Sequence, residues 1–227
     1  MYRKATPTWI MTGGLALTLG AGSINVVGFL GAYHQAVTHL TGSVSLLSIE
    51  LAQADYALAA RSVAVILFFF LGAFLSGFVI RQNTLGLGRR YGVVLALESA
   101  LLFGAVYFLR NGERTGDYLA SMACGLQNAM ASSYSGAVVR TTHMTGIITD
   151  LGIACGSYLR RQPVDWARFR LYGVLLLGFF SGGLLGALGY ARFGYDTLLF
   201  PAILSGAAGG TFTAIKHYQR HHPRAAS

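Results

Sequence analysis

Along this chain, polar residues come in short clusters between long apolar runs. Four runs, Trp9–Gly31, Ser62–Ile80, Tyr91–Leu109 and Leu171–Tyr190, are long enough, at ~1.5 Å per helical residue, to cross a hydrocarbon layer about 30 Å thick. Two more, Tyr118–Val139 and Thr197–Ile215, are interrupted by Gly, Ser, Asn or Pro but still read as spans. Lipid offers backbone groups no partners, so spans of this kind are helices. Two further apolar segments, Thr41–Ala54 and Thr145–Tyr158, hold about fourteen residues each, roughly 20 Å of helix, too short to span alone.

The polar clusters repeat. Gly22-Ser23-Ile24-Asn25 followed by Thr38-His39-Leu40-Thr41-Gly42 returns as Gly125-Leu126-Gln127-Asn128 followed by Thr142-His143-Met144-Thr145-Gly146, with spacing held to one residue. A second echo relates Phe70–Gly77 to Phe180–Ala187. The chain therefore reads as one membrane domain made of two repeats, 1–112 and 113–227. Two topologies fit the short segments. As re-entrant half-helices they leave six crossings; as the helical parts of broken spans they give eight. Re-entry is the reading adopted here, because three spans per half inverts the second half relative to the first, an arrangement with precedent among transporters. The predicted fold is thus an all-α membrane protein of about six transmembrane helices, two inverted three-helix repeats each with a short re-entrant Thr-Gly half-helix.

Composition agrees. The chain is 54% hydrophobic and 11% charged, with mean hydropathy +0.53, which excludes an ordinary soluble domain. A net charge of +9 would suggest nucleic acid in a soluble protein. Here, placing both termini in the cytoplasm leaves only Arg61, Arg110, Arg114 and Arg192 of the 17 Lys and Arg outside, a positive-inside bias that accounts for the charge without nucleic acid. The expected location is a bacterial inner membrane. Arg3-Lys4, the apolar core and Ala21-Gly22-Ser23 imitate a signal peptide, but cleavage there would remove the span that precedes Asn25, so a retained first span is expected. Cys124 and Cys155 form no metal-type spacing.

The paired Gly-x-x-Asn spans, each followed by Thr-Gly and a short apolar helix, resemble the YoaK-like family of bacterial membrane proteins, a domain of unknown function. The resemblance covers essentially the whole chain. Such proteins commonly show Asp-Ala in the first span and Thr-Gly-Asn after it; here those positions read Asn25-Val26 and Thr41-Gly42-Ser43, while Gln127-Asn128-Ala129 and Thr145-Gly146 fit better. Without a carboxylate at position 25, a proton- or cation-carrying role there loses its simplest chemistry. The resemblance implies a multi-span fold and carries no biochemical activity.

Function must then come from the polar residues. Gly42 and Gly146 let the chain turn sharply before a helix, and Thr41 or Ser43, and Thr145, are candidate caps. The remaining free N–H groups and the helix dipole make each such end hydrogen-donating and partly positive. Two of these ends facing each other suit an anion or a small carboxylate solute. The candidate site is Asn25, Thr38, His39, Thr41, Gly42, Asn128, Thr142, His143, Thr145 and Gly146, with Arg140 either an interfacial anchor or an anion-attracting gate. Each residue taken singly also suits plain helix bridging. Glu98, deep within a span, is the candidate coupling residue; a hydrogen-bonded neutral acid is the competing role. Asp150 is expected to cap the second short helix.

His217, His221 and His222 sit in a basic tail, Lys216–Arg224, suited to anionic lipid or to docking a partner. No His-Glu-x-x-His, phosphate-loop or Gly-x-Ser-x-Gly motif is present, and Ser135-Gly136 near His143 lacks the surroundings of a serine hydrolase. The sequence thus points to a transporter or permease for a small anionic or polar solute, not an enzyme, with no cofactor or metal. A passive anion channel and a membrane scaffold or sensor are the alternatives. The expected partners are the bilayer, the solute and, as an open possibility, a second copy of the chain.

Overall fold

The computed structural model describes residues 8–31, 34, 37–80, 89–135 and 139–221. Arg3, Lys4, Arg81, Gly136, His222 and Arg224 lie outside these residues, as do the side chains of Ser135, His217 and His221. Every regular element among the described residues is helical: α1 (Thr8–Leu30), α2 (Leu40–Ala52), α3 (Tyr56–Val79), α4 (Arg89–Arg110), α5 (Thr115–Ser135), α6 (Met144–Leu159), α7 (Trp166–Phe193) and α8 (Leu199–His221), with a 3₁₀ turn, Gly194–Leu198, between the last two. Six helices are long, and α2 and α6 are the short ones that the sequence pattern predicts.

Among the described residues, four stretches are long and apolar enough to cross a membrane: Thr8–Leu30, Tyr56–Val79, Arg90–Arg110 and Trp166–Ala214, the last taking in both α7 and α8. The protein is a multi-pass membrane protein on this ground. Helix α5 falls short in apolarity because it carries Asp117, Ser121, Gln127 and Asn128, of which the first three are buried and Asn128 partly so. Polar groups held among protein neighbours need not face lipid. The opposite holds on α3 and α7, where Phe70, Phe74 and Phe78, and Leu177, Leu184 and Leu188, project outward at helical spacing, with Phe78 as much as 78% exposed. An apolar stripe of that kind belongs against hydrocarbon.

The helices pair across the two repeats. Helix α1 lies along α7, α5 along α3, and α4 along both α5 and α8, while α2 rests on α3 and α6 on α7. The close approaches use the same positions twice. A Cβ on Gly22 would collide with the Phe179 carbonyl oxygen, and one on Gly182 with that of Leu19. In the other pair, Gly125 meets Phe69 O and Gly72 meets Met122 O in the same way. The glycine of each Gly-x-x-Asn phrase is therefore the point where one backbone touches another.

The turns that follow the short helices also repeat. Ala54 and Arg161 both take φ of +57°, and the next amide in each turn bonds back into the helix, Asp55 N to Glu50 O and Gln162 N to Ser157 O, each at 2.9 Å. This is a left-handed stop that satisfies the last free carbonyls. Asp55 then caps α3 by accepting from Leu58 N at 3.0 Å, and Asp165 caps α7 by accepting from Arg168 N at 3.1 Å.

Candidate solute-binding site

Asn25 is buried three residues beyond the Gly22 contact, and Thr38 Oγ1 donates to its Oδ1 at 2.6 Å. Asn128 does the same work in the second repeat: Thr141 N donates to its Oδ1 at 3.1 Å, across the same interval of 13 residues. Each asparagine thus ties the chain that leads into a short helix to the long helix before it. The motif alignment pairs Thr38 with Thr142, whereas the residue that Asn128 holds is Thr141, which is fully buried. Two consecutive threonines and one extra residue in the second connection account for the slip.

The short helices start at Leu40 and Met144, with His39 and His143 in the N-cap positions and no side-chain capping bond from either. This corrects the expectation that Thr41, Ser43 or Thr145 caps; Thr41 and Thr145 are second helical residues. The first intrahelical bonds run from Ser43 N to His39 O at 3.2 Å and from Ile147 N to His143 O at 3.1 Å. Each histidine ring folds back over the third helical residue, where a Cβ on Gly42 would sit 2.7 Å from His39 Nδ1 and one on Gly146 would collide with the His143 ring. The glycine in each Thr-His-x-Thr-Gly is explained by the ring it must admit. The amides of Leu40, Thr41 and Gly42, and of Met144, Thr145 and Gly146, precede any intrahelical acceptor.

The two short-helix ends open on one cavity of about 450 Å³. It is lined by Thr38, His39 and Thr41 from one repeat and by Asn128, Thr142, His143 and Thr145 from the other, with Arg140 at its edge. Seven of the ten candidate site residues are brought together here, and Arg140 with them. Asn25, Gly42 and Gly146 are not among the lining residues; they lie behind it, Asn25 bonded to Thr38 and the two glycines beneath the histidine rings.

Arg140 and His143 also border a neighbouring cavity of about 300 Å³, together with Gly146, Asp150, Arg168 and Tyr172. Asp150 does not cap α6. It lies in the middle of that helix and pairs with Arg168 at 3.3 Å, while Arg168 Nε donates to Tyr172 Oη at 2.8 Å. The Arg168 pairing was not readable from the sequence, since it joins two helices separated by a turn. Glu98 stands apart on α4, fully buried, and Gln127 Nε2 donates to its Oε1 at 2.8 Å. Ser205 of α8 lies beside the same carboxyl. Gln127 was visible as part of the repeated phrase, but its partner was not.

Chemically, the larger cavity sets hydroxyls, imidazoles, the Asn128 amide and one guanidinium beside an apolar wall of Leu40, Phe69, Ala73, Ala129 and Met144. Against known families, residues 13–211 match the model described as "Protein of unknown function (DUF1275)". The chain belongs to this family. The DUF1275 match runs from α1 into α8 and takes in both repeats and every residue lining the larger cavity, in keeping with the YoaK-like resemblance. No curated protein and no solved structure matches the chain.

Proposed function

We propose that this DUF1275 protein is a membrane transporter for a small anionic or polar solute, bound in the cavity that the α2 and α6 N-termini both line. The observation that carries the reading is the shared cavity of about 450 Å³, into which both repeats present the same Thr-His-x-Thr element. Helix N-termini attract anions through free amides and the helix dipole. Placed inside a membrane, where water competes poorly, two such ends suit a carboxylate or inorganic anion better than one. In this reading α2 and α6 re-enter the bilayer from opposite sides, the six long helices span it as two inverted sets, and the two halves rock about the site. The termini face the cytoplasm, and Glu98 accepts a proton coupled to solute movement.

A passive anion channel is the second reading. It is favoured by the second cavity next to the first, with Arg140 and His143 lining both. Purified protein in sealed liposomes separates the two. Uphill anion accumulation driven by a gradient supports a carrier, and current far above carrier turnover supports a channel. Unchanged flux of every anion tested would overturn both and leave a scaffold or sensor.

A further inference from the structure

We propose that the cavity between α1, α4, α5 and α8 binds a hydrocarbon-bodied amine, a ligand class different from the anion and held in a different place. This cavity is about 220 Å³, and it shares no lining residue with the Thr-Gly cavity. Its walls are mostly apolar, among them Gly13, Leu17, Leu95, Met130 and Phe212, and Gln127 and Ser205 are among the polar residues that line it. Glu98 lies directly behind these two.

Two acceptors stand at this wall, and the Ser205 hydroxyl beside Glu98 is a further donor near them. Gln127 Oε1 accepts no hydrogen bond from the protein, and Glu98 Oε2 has no well-formed one, on residues 2% and 0% exposed. Buried acceptors ordinarily have partners, so the pair asks for a head group that brings N–H donors. An ammonium supplies several, and its charge offsets the carboxylate. An anion has nothing to donate, and a plain hydrocarbon leaves Gln127 Oε1 unpaired. Trp9 and Tyr91 at the cavity wall add aromatic rings of the kind that favour a cation.

The duplication supplies a control on the packing explanation. The third position of the repeated phrase is Gln127 in one repeat and Ile24 in the other. Ile24, 1% exposed, sits in a dry cluster with Val27 and Leu102. The fold thus accommodates an apolar side chain at that position, and the polar one serves another end. Helix α8, the counterpart of α4, likewise carries no carboxylate from Leu199 to Ala214.

The test uses the full chain in nanodiscs of uncharged lipid, with Trp166→Phe so that Trp9 is the sole tryptophan. Octylamine should change Trp9 emission saturably, octanol should bind at least tenfold more weakly, and octanoate should give no saturable change. Glu98→Gln should weaken octylamine at least tenfold. Gly13→Leu keeps the carboxylate and fills the cavity at a position where an added Cβ meets nothing within 4 Å; it should abolish the change even if Glu98→Gln fails to fold. A linear, unsaturable response would mean partition into lipid only and would overturn the proposal. So would equal affinity for octylamine and octanol, or a response that Gly13→Leu leaves intact. Anion binding at the Thr-Gly cavity is read separately, so either proposal can fail alone.

Discussion

The two repeats share their scaffold and differ in their chemistry. Both have the glycine contact, the asparagine that ties down the incoming chain, the N-cap histidine over a glycine, and the left-handed turn before a capped long helix. Only the second has the Arg168–Asp150 pair, the Tyr172 hydroxyl and Arg140, which border the smaller cavity beside its short helix. Leu46, the first-repeat counterpart of Asp150, carries no charge. What both repeats keep is the geometry that brings two helix ends together, and what one repeat adds is polar lining on one side. A fold built by duplication can be symmetric in its frame while the lining of its cavities is not.

The largest expected effect comes from breaking the shared scaffold. Gly182→Val drives a side chain into the Leu19 carbonyl and should cost about 3 kcal/mol or more. On the same helix, Gly173→Ala meets nothing within 4 Å and should be neutral or stabilising by up to about 1 kcal/mol. Thermal melting of the purified protein reads both. Equal losses would mean that the glycine contacts are not the frame.

Next are the asparagines. Asn128→Ala leaves the Thr141 amide without its acceptor, and Asn25→Ala does the same to the buried Thr38 hydroxyl. Each should cost about 1–3 kcal/mol, measured by the same melts. Matching losses support equivalent roles, and a large loss in one alone would break the symmetry.

A smaller, functional effect is expected at the glycines beneath the histidines. Gly146→Ala overlaps the His143 ring more deeply than Gly42→Ala overlaps that of His39. Anion affinity should fall in both, by about tenfold in the first, equivalent to about 1.4 kcal/mol, and by less in the second. Isothermal titration in detergent gives the order. The smallest effect is expected for Asp150→Asn. Its ion pair with Arg168 is well exposed, so stability should move by no more than about 1 kcal/mol, seen as a small shift in the melt.

Much of the frame was legible because it depends on residue type at fixed spacing. Long apolar runs give long helices, short ones give α2 and α6, and the repeated phrase aligns the two asparagines. The asparagines lie on long helices, and each Thr-His-x-Thr element stands at the start of a short one. What could not be read joins separate helices or turns on a single residue of register. Thr141 and Thr142 are adjacent and chemically alike, so only the backbone decides which one Asn128 holds. The histidines as N-caps were hidden because threonine is the more usual cap. Gln127 and Asn128 stand side by side in sequence yet face different cavities, since neighbours on a helix do not share a face.

The central claim is that the α2 and α6 ends together hold an anion. Thermal stabilisation across a panel of inorganic and carboxylate anions tests it most directly, repeated with Asn128→Ala and Thr145→Val. A bound anion at a hundred times its dissociation constant stabilises by about 2.7 kcal/mol, so the melting point should rise with concentration for at least one anion and the rise should shrink in both variants. A full rise retained in both would contradict the account.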